Sequence, residues 1–199
     1  MTWDILNILG TLAFAISGAL IALEEDYDIL GVYVLGFTTA FGGGIARNLL
    51  IGIPIEDIWS QDSLFKIAFL AITVVFILSN KWIASWKKWV VFFDAIGLAA
   101  FAIQGANFAL TIDAPLFAVI IAATLTGAGG GMIRDVLAGR KPMIFRSEIY
   151  ALWAALAGLA IGLDLVRGPY TTFFLLIAIV LFRMLSVYYK WNLPHKFRT

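Results

Sequence analysis

Phe41-Gly42-Gly43-Gly44-Ile45-Ala46-Arg47-Asn48 and Gly127-Ala128-Gly129-Gly130-Gly131-Met132-Ile133-Arg134-Asp135 are two versions of one pattern. In each, a glycine triplet is followed three residues later by an arginine and then by an amide or an acid. They lie 87 residues apart. The same offset carries Gly10 onto Gly97, Ala13-Phe14-Ala15-Ile16 onto Ala100-Phe101-Ala102-Ile103, Gly18-Ala19 onto Gly105-Ala106, Thr39 onto Thr126 and Gly52 onto Gly139. Over residues 10–52, 18 of 43 positions are identical without a gap. Apolar composition inflates chance matches, but it does not align a glycine triplet and an arginine at one offset. The chain therefore contains an internal repeat.

Both copies sit in apolar surroundings. Of 199 residues, 62% are hydrophobic and 14% charged, with a mean hydropathy of +0.94. A soluble domain carries about 25% charged residues, so this composition excludes an ordinary soluble fold and a disordered chain. The absence of cysteine excludes a disulfide scaffold. A formal charge of +1 gives no footprint for nucleic acid. Spanning a membrane takes roughly 20 apolar residues, and seven such runs are predicted at about 5–23, 29–53, 64–80, 90–110, 114–138, 149–166 and 170–191. They are too long for strands and lack the period-two alternation of a membrane barrel. The expected fold is an all-α integral membrane protein with seven transmembrane helices. The first is not a cleaved signal, because Met1-Thr2-Trp3-Asp4 carries no positive side chain and no small-residue cleavage site precedes Glu24.

Three spans per copy is an odd number, so the second copy crosses the membrane in the opposite sense. This predicts an inverted 3+3 repeat, 1–80 and 81–168, with residues 169–199 supplying one C-terminal helix and a basic tail. Such pairs usually build a solute pathway at their interface. Lys81, Lys87 and Lys88, then Arg140, Lys141 and Arg146, then Lys190, Lys196 and Arg198 mark one side, against Lys66 and Arg167 on the other. The positive-inside rule then places the N-terminus out and the C-terminus in. Acids flank both faces: Glu24, Glu25, Asp26 and Asp28 inside, Glu56, Asp57 and Asp62 outside. They read either as cation-concentrating mouths or as solvated turns. Trp3, Trp59, Trp82, Trp86, Trp89 and Trp191 lie near span ends, as interfacial anchors do.

Gly42, Gly43, Gly44, Gly129, Gly130 and Gly131 fall inside the second and fifth spans. Each interior glycine costs about 1 kcal/mol relative to alanine. Two readings follow: local unwinding, with freed carbonyls facing a wet path, or close helix packing. Arg47 and Arg134 are costly at this depth. They either pair inside the protein or snorkel to the headgroups. Adjacent helical residues do not face each other, so Asn48 and Asp135 are set aside as partners. The offset makes Asn7 and Asp94 equivalent, which predicts Asp94–Arg134 and Asp4/Asn7–Arg47 contacts, with Asp4, Asn7, Arg47, Asp94, Arg134 and Asp135 as gating or structural charges. Ser17 and Gln104 are a further equivalent pair. With Thr38, Thr39, Asn107, Thr124 and Thr126 they either line a hydrated route or bond their own helices. Ala154, Gly158 and Gly162 form a small-residue stripe suited to tight helix contact.

Nothing points to catalysis. His195 is the only histidine, and no nucleophile or metal-ligand motif is present, so neither an enzyme nor a structural metal nor a cofactor is expected. Gly127 to Arg134 imitates a dinucleotide fingerprint but has Met132 at the last glycine position and no strand before it. The doubled GGGxxR[ND] signature on a 3+3+1 chain resembles the prokaryotic branch of the trimeric intracellular cation (TRIC) channel family, over nearly the whole chain. That resemblance implies homotrimers in the prokaryotic inner membrane, in contact with lipid, with a pore in each subunit. It implies conduction of monovalent cations, chiefly potassium with sodium as second candidate, and helices 2 and 5 kinked at the glycines that border the pore. Animal relatives carry a Lys-Glu-Val motif that is absent here, so phosphoinositide control does not transfer. Related bacterial sequences are labelled glycine transporters, which keeps a second function in view: a secondary transporter of glycine or another small solute, with an arginine holding its carboxylate.

Overall fold

The computed structural model describes residues 2–52, 54, 61–78, 86–145 and 149–193, with residues 86 and 87 described by backbone alone. Lys81, Trp82, Glu56, Asp57, Trp59, Arg146, His195, Lys196 and Arg198, and the side chains of Trp86 and Lys87, lie outside what is described. Among the described residues there are seven α-helices: α1 Thr2–Glu24, α2 Ile29–Ile51, α3 Asp62–Leu78, α4 Trp86–Thr111, α5 Leu116–Leu137, α6 Ala151–Gly162 and α7 Pro169–Tyr188. A 3₁₀ turn, Met143–Phe145, precedes α6. The turns repeat along with the helices. Asp26 and Asp113, one offset apart, both take left-handed backbone (φ 55° and 52°), as do Gly52 and Gly139 (φ 74° and 68°). Left-handed backbone is what stops a helix abruptly, and glycine adopts it without steric cost.

Five helices are long and apolar enough to cross a membrane: α1, α2, α4, α5 and α7. The span expected at 149–166 is shorter than predicted. α6 has 12 residues, about 18 Å at 1.5 Å per residue, against a hydrocarbon core of about 30 Å. The cause is local. Asp164 turns left-handed at φ 58° and pairs with Arg167 at 2.5 Å, which ends the helix while the sequence is still apolar.

α1 and α4 form the centre and pack on each other; α2 and α3 lie against α1, while α5, α6 and α7 lie against α4. Two apolar cores result. One, around Phe14, Leu20, Val32, Leu35 and Ile72, joins α1, α2 and α3. The other, around Leu98, Ile103, Val119, Ala154 and Ile179, joins α4 to α7. Between α1 and α4 the contacts come in exchanged pairs. Phe14 rests on Gly97, where a Cβ would overlap its ring, and Phe101 rests on Gly10, where a Cβ would come within 2.7 Å. The two rings meet edge to face with centroids 5.3 Å apart.

The glycine triplets do not unwind. α2 and α5 stay α-helical through Gly42–Gly44 and Gly129–Gly131, which corrects the expectation of broken helices. The glycines serve a close crossing. A Cβ on Gly43 would sit 2.5 Å from the Thr126 carbonyl oxygen, one on Gly130 would overlap the Thr39 carbonyl oxygen, and one on Gly129 would lie 3.2 Å from the Gly43 Cα. A continuous ladder keeps each buried N–H and C=O satisfied where water is scarce, and backbone contact offsets the low helix propensity of glycine.

Candidate functional site

Two buried guanidinium sites lie on opposite sides of the α2–α5 crossing, one toward each end of the bundle. Arg134, on the last turns of α5, is fully buried. Its Nη1 donates to Asp94 Oδ1 and to Ser17 Oγ, both at 2.7 Å. Its Nε and Nη2 donate to Asp135 Oδ1 at 2.9 and 2.8 Å. Asp135 Oδ2 accepts from the Met143 backbone N–H at 2.9 Å, which ties the 3₁₀ turn to the site. One cation thus meets two carboxylates. The expected Asp94–Arg134 contact is present. The exclusion of the sequence neighbour is corrected: the guanidinium swings sideways far enough for the short Asp135 side chain to reach it, although their Cβ atoms diverge.

Arg47 stands at the equivalent place on α2, about 5% exposed. It also bonds its sequence neighbour: Nε and Nη2 donate to Asn48 Oδ1 at 3.0 and 2.7 Å. Its guanidinium lies over the Phe108 ring at 4.0 Å, in cation–π distance. Of the expected Asp4/Asn7–Arg47 contacts, no direct hydrogen bond is seen among the described residues, although all three side chains line one cavity. Asn7 instead accepts from Gln104 Nε2 at 2.6 Å. Both arginines point into the protein, so the snorkelling alternative is set aside.

A cavity of about 250 Å³ opens at the end that carries the α1 N-terminus. Asp4, Asn7, Arg47, Gln104, Phe108 and Thr126 are among its walls. A second, of about 440 Å³, opens at the other end between Glu24, Val91, Asp135 and Arg140. At that mouth Arg140 bridges Glu24 at 2.8 Å and also binds Glu25. Partial burial pulls its guanidinium pKa down, but the hydrogen bonds it donates to both glutamates outweigh this and hold it above its usual value. The Tyr27 hydroxyl donates to the Leu137 carbonyl at 2.9 Å beside it. The acids of the first connection therefore hold the fifth, rather than forming a free solvated turn.

The remaining polar candidates divide. Ser17 and Gln104 reach across helices. Thr38, Thr39, Asn107, Thr124 and Thr126 bond carbonyls of their own helices at 2.6–2.8 Å. Three further residues belong to the sites. Phe108 covers Arg47. Tyr150 is buried, with its hydroxyl beside Gly131 and Asp94. Arg183 of α7 is fully buried, lies 4.9 Å from the Tyr150 ring and donates to the Ile149 carbonyl at 3.3 Å. The intramembrane-arginine rule that singled out Arg47 applies equally to Arg183, which lies outside the repeat. Among the described residues, no three His, Cys, Asp or Glu side chains gather as a metal site.

Long apolar helices folded around buried guanidinium sites define a multi-pass membrane protein. The family described as Glycine transporter matches residues 4–80 and 91–163. The UPF0126 membrane protein YvgT of Bacillus subtilis is 53% identical over 196 residues, covering 98% of this chain and 97% of that one. A prokaryotic TRIC channel crystallised in 0.5 M KCl superposes with a TM-score of 0.88 at 34% identity, covering 96% and 98%. The TRIC trimeric intracellular cation channel orthologue of Rhodobacter sphaeroides gives 0.86 at 29%, covering 94% and 98%. The chain belongs to this family, the prokaryotic TRIC channels, and it resides in the prokaryotic cell membrane.

Proposed function

We propose that the protein is a potassium-conducting cation channel with a conduction path inside each subunit, not an enzyme. The observation that carries this is a cavity reaching from one end to Gly44 and Thr126 beside the α2–α5 crossing, with a second cavity opening at the other end next to Asp135. Gly42–Gly44 and Gly129–Gly131 border the path. Asp94 and Asp135 neutralise Arg134, so positive charge does not bar cations on that side. Glu24 and Asp135 line the larger cavity and pair with Arg140 and Arg134, so no uncompensated positive charge stands at that mouth. The close crossing represents the shut state, and conduction requires α2 and α5 to part, with Arg47 and Arg134 as the charges that respond. The polar side chains of Ser17, Thr38, Thr39, Gln104, Asn107 and Thr126 replace part of the ion's hydration where the route narrows.

The exchanged contacts Phe14–Gly97 and Phe101–Gly10, and Gly43–Thr126 and Gly130–Thr39, support a twofold relation between residues 1–80 and 81–168, hence an inverted repeat with residues 169–199 appended. We place the N-terminus outside and the C-terminus inside from the lysine and arginine distribution. The TRIC orthologue described as trimeric supports a homotrimer embedded in lipid. The test is reconstitution into a planar bilayer under a potassium chloride gradient. Unitary ohmic currents reversing near the potassium potential are expected. Saturable uptake of labelled glycine without such currents overturns the reading in favour of a transporter.

A further inference from the structure

The two guanidinium sites share one cradle but not one charge. The two acids that hold Arg134 have equivalents around Arg47 at the repeat offset. Asp94 corresponds to Asn7, and Asp135 to Asn48. Both carboxylates that neutralise Arg134 at 2.7–2.8 Å are thus replaced by neutral amides beside Arg47. Among the described residues, no carboxylate lies within ion-pair distance of Arg47. Asp4 lines the same cavity without reaching it. A guanidinium this buried, bonded among the described residues to an amide oxygen and a ring alone, keeps a desolvation cost that these do not offset.

Beside the Asp4 carboxylate, the cavity wall carries three donors without a partner among the described residues. Arg47 Nη1, the Asn7 amide nitrogen and the Thr11 hydroxyl make no hydrogen bond among the described residues, and all three residues line the cavity of about 250 Å³. We propose that this cavity is a binding site for a small carboxylate. The ligand's carboxylate would take the place that Asp94 and Asp135 fill at Arg134, in the charge-assisted geometry guanidinium groups favour. The class is set by that equivalence: the second site already shows which anion the cradle accepts. Occupancy would also cancel the positive potential that Arg47 sets against cations on that side.

The test needs no flux, so its outcome is independent of whether the protein conducts potassium. Purified protein in detergent is unfolded thermally while sodium acetate replaces sodium chloride at constant sodium. The wild-type midpoint should rise by at least about 2 °C toward about 100 mM acetate, because a ligand that binds only the folded state stabilises it. Arg47→Gln should abolish the rise. Asn48→Asp, which keeps the acceptor for Arg47 and supplies the missing charge while giving up the long 3.4 Å bond to the Pro54 carbonyl, should unfold higher without acetate and no longer respond. A wild-type midpoint that does not move overturns the proposal, since chloride then serves as well as a carboxylate or nothing binds. A rise that survives in Asn48→Asp overturns it too, and that variant decides the matter should Arg47→Gln fail to fold.

Discussion

Arg134 and Arg47 occupy the same position in the two copies of the repeat, and they are treated differently. Arg134 is sealed by Asp94, Asp135 and Ser17. Arg47 meets Asn48 and Phe108 and borders a cavity. The scaffold positions, by contrast, match in kind: Phe14 and Phe101, Thr39 and Thr126, Gly43 and Gly130 make the same contacts in both copies. Packing has been held fixed while charge has diverged, so the two ends of the bundle are built on one frame with different electrostatics.

The largest test of that asymmetry is removal of each cation. Arg134→Met strands two buried carboxylates and should cost about 3–5 kcal/mol, read as a lowered unfolding midpoint. Arg47→Met strands only an amide and should cost much less; equal losses would erase the distinction between the sites. The next effect separates the glycines. Gly130→Ala and Gly43→Ala push a methyl into the facing carbonyls and should each cost about 1–3 kcal/mol and alter conductance. Gly44→Ala meets nothing nearer than Arg47 Nη2 at 4.0 Å and should be neutral or gain up to about 1 kcal/mol. The smallest effect is at the mouth. Arg140→Gln loses partly exposed pairs with Glu24 and Glu25, for about 0.2–1 kcal/mol. The difference from wild type should shrink in concentrated salt.

Much of this was legible in the sequence. The Asp94–Arg134 contact is legible because both residues fall at the same depth on neighbouring spans, where a buried arginine needs a carboxylate. The fate of the triplets was not legible. Three small residues permit either unwinding or close approach, and the choice depends on what lies opposite Gly43 and Gly130, which is another helix's carbonyl. Pairing of Arg47 with Asn48 and of Arg134 with Asp135 was missed because backbone periodicity describes where Cβ atoms point, not where a four-carbon-long arm ends. α6 ran short because Asp164 and Arg167 end it locally, a signal that hydropathy alone overrides. Phe108 looked like any apolar residue until Arg47 was found beneath it.

The Phe14–Gly97 and Phe101–Gly10 contacts carry a consequence for how such a chain changes over generations. Each ring occupies the hollow left by a missing side chain in the opposite copy. A larger residue at Gly97 evicts Phe14, and one at Gly10 evicts Phe101, so neither half can drift without a matched change in the other. Duplicated segments ordinarily diverge at leisure; here steric reciprocity makes them lifelong co-tenants, and variants should accumulate there in couples.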